Sequence, residues 1–263
     1  MPALTQYKPK EEIEESLGGV ERIFILRCGI CAALWWEHSA EAKRRLEDYL
    51  TDKGIEVTGN CIAFSPCGPY GAQATIEKFA KEIDRADAIG MVSCPLGVSS
   101  VHLVTKRKKR VIPFLDLNSI YCCAYYNEVT NPLLSPCSGC GHCILGITEG
   151  ICTVGNCVQG LRVPCRREED VVKECREDPA RDCPFFFVKE KKLLDRLLVY
   201  ERTLRRKQQE GEFRRPLFTI SRPLQGERRL AKRSIAAVFA RLARPFAVMS
   251  AATDQPPVRK IRF

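Results

Sequence analysis

Fifteen cysteines in 263 residues restrict this chain more than any other feature of its sequence. In a reducing compartment so many thiols point to metal ligation and not to a disulfide framework. A reducing compartment is the one expected here. The start of the chain joins no basic head to an apolar run, and its most apolar late stretch, 234–252, is interrupted by Arg241 and Arg244. Neither a signal peptide nor a spanning helix is therefore predicted, and the chain is placed in the cytoplasm.

From residue 20 onward, short apolar runs alternate with segments of helical period. The runs are 22–26, 55–64, 88–93 and 111–115, and the helical segments are 40–53, 72–86 and 98–108. This β-α-β-α-β-α-β order predicts an α/β fold in which helices cover a parallel sheet, a three-layer flavodoxin-like or Rossmann-like domain over 20–118. The residues before it read as a charged leader ending near Gly18 and Gly19, and 119–136 as a connector. A cysteine-rich metal-binding module follows over 132–187; with little apolar periodicity, it is expected to rely on metal in place of a large core. Residues 188–263 read as a helical segment, whose stripe of Leu193, Leu194, Leu197 and Leu198 suits packing, and a basic tail.

The cysteines fall into two constellations. In open parallel sheets ligands collect beyond the carboxyl ends of the strands, and three predicted strands lead directly to cysteine. Cys28 and Cys31 stand in Cys-Gly-Ile-Cys, Cys67 in Ser-Pro-Cys-Gly-Pro-Tyr-Gly, and Cys94 in Val-Ser-Cys-Pro-Leu-Gly-Val. Four thiolates on one edge are what a cubane cluster requires, and Gly29, Gly68 and Gly97 allow close backbone approach. The second constellation opens as Cys137-Ser-Gly-Cys140-Gly-His-Cys143 and continues with Cys152, Cys157, Cys165, Cys175 and Cys183. Three cysteines in one tight run favour iron–sulfur, since zinc sites use separated Cys-x2-Cys pairs. Eight candidates fit two four-thiolate sites, and sequence order leaves open which four belong together. Two to three 4Fe-4S clusters are expected, with zinc as the alternative at one site. Cys61, inside a strand, reads as a buried small hydrophobe, and the adjacent Cys122 and Cys123 as non-ligands. His142 between two cysteines is either a ligand or an exposed neighbour.

Charge is unevenly distributed. Residues 201–263 hold 16 Lys and Arg against 5 Asp and Glu, which accounts for the whole of the net charge of +10. The tail is expected to dock a partner through a helix whose apolar arc is Ile235, Val238, Phe239 and Leu242. A different class of function, a zinc-stabilised interaction or nucleic-acid-binding protein, would use the same arginines on phosphates; sparse aromatic interleaving disfavours nucleic acid. No Gly-x-Gly-x-x-Gly opens a helix after a strand and no Gly-x4-Gly-Lys-Ser/Thr occurs, so no bound dinucleotide or ATP is indicated. With His38, His102 and His142 the only histidines, no acid–base constellation is visible and no catalytic residue is assigned.

Several segments resemble the C-terminal domain, or separate small accessory subunit, associated with methylenetetrahydrofolate reductase. They are Arg27-Cys-Gly-Ile-Cys-Ala32, Pro66-Cys67, Ser93-Cys94, Cys137-Ser-Gly-Cys-Gly-His-Cys-Ile-Leu145, Gly150-Ile-Cys152, Asn156-Cys157 and Asp182-Cys183. Thr153 stands where that family tends to have proline, and Val163-Pro-Cys-Arg-Arg167 where it tends to be glycine-rich. The resemblance implies an iron–sulfur electron-transfer subunit, itself non-catalytic. It would take electrons from a donor redox complex and deliver them to a flavin-bearing catalytic subunit that reduces methylenetetrahydrofolate to methyltetrahydrofolate, or to a related redox complex. The chain is too short to contain the catalytic barrel as well.

Overall fold

A computed structural model of the chain describes residues 4–30, 40–106, 108–119, 137 and 140–210. Four strands form a parallel sheet: β2 (Arg22–Cys28), β3 (Glu56–Ala63), β4 (Ala88–Val92) and β5 (Arg110–Pro113), in the order β3-β2-β4-β5. The chain leaves β2 to one side for β3 and crosses back to the other side for β4, so a topological switch point lies between β2 and β4. The two central strands read as near-continuous apolar runs, Ile-Phe-Ile-Leu and Ala-Ile-Gly-Met-Val, because both of their faces are covered.

Strand parity separates the two faces. Ile23 and Ile25 pack with Ile13 and Leu17 of α1 (Lys10–Leu17) and with Leu46 and Leu50 of α2 (Ala40–Asp52). Phe24 and Leu26 pack with Ala72 of α3 (Pro69–Lys78), Ile83 of α4 (Ala80–Arg85), and Val98 and Val101 of α5 (Pro95–Val104). Helix α2 shows how the sequence places a helix. Ala42, Leu46 and Leu50 recur every four residues and are buried, while Arg45 pairs with Glu41 at 2.6 Å on the outer face. The helix expected over 72–86 is divided at Phe79, whose backbone leaves helical geometry and whose ring lies 5.6 Å from that of Phe24.

The presumed charged leader is corrected. Residues Leu4–Tyr7 form β1, which pairs antiparallel with β6 (Leu115–Ser119), and α1 follows it. A four-residue strand whose partner lies more than a hundred residues away leaves no local periodic signal, and α1 buries only Ile13, Ser16 and Leu17.

The cysteine-rich region is also better packed than its sequence suggests. Ile144, Ile147, Ile151 and Val171 join Phe185 and Val188 of α7 (Pro184–Glu190) and Leu194, Leu197, Tyr200 and Leu204 of α8 (Leu194–Gln209) in one buried apolar cluster. Its members come from loops and from two helices, so no single window shows a period. The leucine stripe of α8 is packing, as expected. One compact unit, Met1–Ile220, includes all the described residues. The basic tail and its apolar arc lie outside them.

If α1 is a structural element, Ile13→Ala, at a position with no exposure, costs about 2–5 kcal/mol in urea unfolding. Lys10→Ala, whose side chain is 57% exposed, changes stability by no more than about 0.5 kcal/mol. Equally small effects would return this segment to a leader.

Candidate metal centres

The carboxyl edge of the parallel sheet carries the first group of thiols. Cys28 ends β2, Cys67 lies in the loop after β3, and Cys94 caps the start of α5 directly after β4. Burial pushes the Cys67 thiol up to about 12, and Cys94 and Cys28 add to the shift as neighbouring sulfurs, against a 3.4 Å hydrogen-bond contact with the Ser65 hydroxyl. Two glycines make this convergence possible. A Cβ on Gly71 would collide with the carbonyl oxygens of Phe64 and Ser65, and one on Gly97 with the Ser93 hydroxyl. Cys31 lies outside the described residues. Cys61 sits within the apolar cluster on one sheet face, and burial raises its thiol to about 11; it packs as the sequence suggests.

The eight later cysteines separate into two sets of four. Cys137, Cys140, Cys143 and Cys152 line one cavity together with Pro95, Leu96, Leu117, Ile144, Leu145 and Val154. Cys157, Cys165, Cys175 and Cys183 line another, walled by Val158, Pro164, Val171, Val172 and Phe185. One turn of helix, α6 (Thr153–Asn156), connects the sets, with Cys152 as its N-cap and Cys157 as its C-cap. In the later set, the amide of Cys175 donates to Arg181 O (3.0 Å) and that of Cys183 to Lys173 O (2.7 Å). With the antiparallel bridge of Glu174 and Asp182, this hairpin brings Cys175 and Cys183 side by side. The first group adjoins the second, because Cys94, Leu96 and Leu117 pack with Cys67 and Cys137.

Backbone and side-chain donors surround the middle set. Gly155 N donates to Cys152 Sγ at 3.2 Å, partly offsetting the burial that raises that thiol. Burial likewise raises Cys143, with Lys8 acting against it and Asp116 adding to it. The peptide of Cys143 is held at both ends. Its amide donates to Asp116 Oδ1 (2.8 Å), its carbonyl accepts from Lys8 Nζ (2.8 Å), and Lys8 and Asp116 pair at 2.8 Å. Lys8 is 3% exposed and Asp116 0%. Burial works against the Lys8 ammonium, but Asp116 and Glu12 outweigh it and hold the ammonium above the usual lysine range. On the other side Arg162 Nη1 donates to Cys140 Sγ at 3.2 Å and Nη2 to His142 O at 3.1 Å. Its Nε lies 2.9 Å from both oxygens of buried Glu201 on α8.

Residues 120–210 match the family model described as Methylene-tetrahydrofolate reductase C terminal. The methylene-tetrahydrofolate reductase C-terminal match thus contains both later sets of cysteines, Arg162 and Glu201, and it agrees with the resemblance read from the cysteine motifs. It leaves the parallel sheet and Cys28, Cys67 and Cys94 outside. No curated protein and no solved structure matches the chain. Among the described residues, no three or more His, Cys, Asp or Glu side chains form a group that could hold a metal ion as they stand, and no helix is long and apolar enough to cross a membrane.

Of Lys8, Asp116, Arg162 and Glu201, three carry no sequence signal for this region. Only Asp116, a carboxylate in the apolar run Phe114-Leu-Asp-Leu117, stands out. Its partnership with Lys8 gives a direct check. Lys8→Met, which strands a buried carboxylate, costs about 3–5 kcal/mol. Adding Asp116→Asn recovers part of that loss in a double-mutant cycle. Additive losses would mean that the two side chains do not interact.

Proposed function

We propose that this chain is an iron–sulfur electron-transfer accessory protein for a flavin-bearing methylenetetrahydrofolate reductase or a related redox complex. The observation that carries the reading is the division of eight cysteines into two sets of four, each around its own cavity. Cys137, Cys140, Cys143 and Cys152 would hold one 4Fe-4S cluster, Cys157, Cys165, Cys175 and Cys183 a second, and Cys28, Cys31, Cys67 and Cys94 a third. A cubane binds each thiolate at a different iron, so its ligands stand further apart than those of one shared ion. All-cysteine donor sets with apolar walls suit it. The match over 120–210 favours the reductase as partner.

A cluster held in such a site would supply one-electron exchange. The chain's own residues fix the thiolates, keep water away with Leu96, Leu117, Ile144 and Leu145, and direct donors such as Gly155 N at the sulfurs. Conversion of methylenetetrahydrofolate to methyltetrahydrofolate consumes two electrons and two protons. On this reading the electrons come one at a time from a reduced donor complex, while the protons and the reacting carbon belong to the partner's site. Adjacency of the Cys28 and Cys137 groups at Leu96 and Leu117, and of the Cys137 and Cys157 groups across α6, suits a relay.

Metal and acid-labile sulfide analysis of anaerobically purified protein tests the assignment. The expected protein is brown and holds about four irons per filled group. Cys152→Ser and Cys183→Ser each remove one cluster's worth of iron, additively when combined, and Cys61→Ser removes none. A colourless protein containing only zinc would overturn the proposal in favour of a zinc-stabilised interaction module.

A further inference from the structure

We propose that Arg162 is a positioning residue that sets the reduction potential of the centre held by Cys137, Cys140, Cys143 and Cys152, with Glu201 as its counterweight. This rests on the iron–sulfur reading above.

Arg162 belongs to the loop between Cys157 and Cys165, whose thiols line one cavity, yet its side chain reaches a thiol of the other. Its guanidinium is engaged at every nitrogen. Nε lies 2.9 Å from each Glu201 oxygen, Nη2 pairs with Glu201 Oε1 at 2.6 Å and donates to His142 O at 3.1 Å, and Nη1 donates to Cys140 Sγ at 3.2 Å. The carboxylate is only 3% exposed and the guanidinium side chain 21%, so their charges act through protein more than through water. A salt bridge made only to tie the loop to α8 would be complete with the carboxylate. The third contact delivers a charge-assisted donor to a thiol that stands on the exposed side of its group.

Adding an electron to a thiolate-ligated centre adds negative charge that spreads onto its sulfurs. A cationic donor at Cys140 stabilises that reduced state, and the Glu201 carboxylate opposes it. The two residues therefore act with opposite sign. Arg162→Gln removes a cation and leaves a buried carboxylate near the sulfur, which favours the oxidised state. Glu201→Gln leaves the guanidinium uncompensated, which favours the reduced state. A purely structural role predicts no such opposition, because either change would loosen the same loop.

The test is a redox titration of the full-length protein followed by electron paramagnetic resonance, with the signal of this centre identified by its disappearance in Cys152→Ser. Arg162→Gln is expected to lower the midpoint potential of that signal and Glu201→Gln to raise it. The double variant should fall between the two, and the other signals should stay in place. Shifts of the same sign in both variants, or none with the centre intact, overturn the inference. If Arg162→Gln fails to assemble the centre, Glu201→Gln decides alone: a rise supports the inference and anything else overturns it. A wild-type protein without iron or labile sulfide overturns the function proposed above and this inference with it; iron present with unmoved potentials overturns this inference only.

Discussion

One oxygen of Asp116 joins strand β6 and Lys8 to the cysteine loop. It accepts from the Cys143 amide and from the Lys8 ammonium, each at 2.8 Å, at a point where water does not reach. Lys8 in turn donates to the Cys143 carbonyl and to Glu12 of α1, and Glu12 accepts from Tyr200 of α8. Strand β6, the segment beside β1, helix α1, the cysteine loop and helix α8 thus meet in one buried polar network. Such a network is costly unless it is fully paired, because a stranded buried charge loses several kcal/mol. The same condition fixes the position of Cys143.

If the middle group binds a cluster as proposed, charge accounts for the partners around it. As neutral thiols, cysteines are inexpensive to bury; as thiolates they are costly unless donors or cations accompany them. Lys8 at the Cys143 carbonyl, Gly155 N at the Cys152 sulfur and Arg162 at the Cys140 sulfur bring donors to three of the four cysteines. The Cys157 group is set differently. Cys175 and Cys183 are positioned by a short hairpin that leads into α7, and charged Arg166, Glu174, Arg176 and Glu177 line the cavity. Two four-thiol sets joined by one helical turn therefore sit in unlike electrostatic surroundings.

The sequence made the parallel sheet legible because β2 and β4 are covered on both faces and their residues had to be apolar. Helix α2 was legible because its buried stripe keeps a four-residue spacing. The convergence of Cys28, Cys67 and Cys94 followed from topology alone, each lying just past a strand. What stayed hidden depends on distant pairing. Strand β1 takes its identity from β6, and the apolar cluster of the cysteine-rich region is assembled from Ile144, Val171, Phe185 and Leu197, which share no window. Spacing could show that eight cysteines suit two sites, but not that α6 divides them between Cys152 and Cys157. Arg162 and Glu201 are 39 residues apart, and no local pattern links them.

The central claim is that these thiols are divided by fours, with iron in each set. Diffraction from crystals of anaerobically prepared protein, recorded on either side of the iron absorption edge, reads this directly. Iron is expected at the cavity of Cys137, Cys140, Cys143 and Cys152 and at that of Cys157, Cys165, Cys175 and Cys183, with a further iron site against Cys28, Cys67 and Cys94. Zinc at these positions, or iron ligated by cysteines drawn from both sets, would contradict the account.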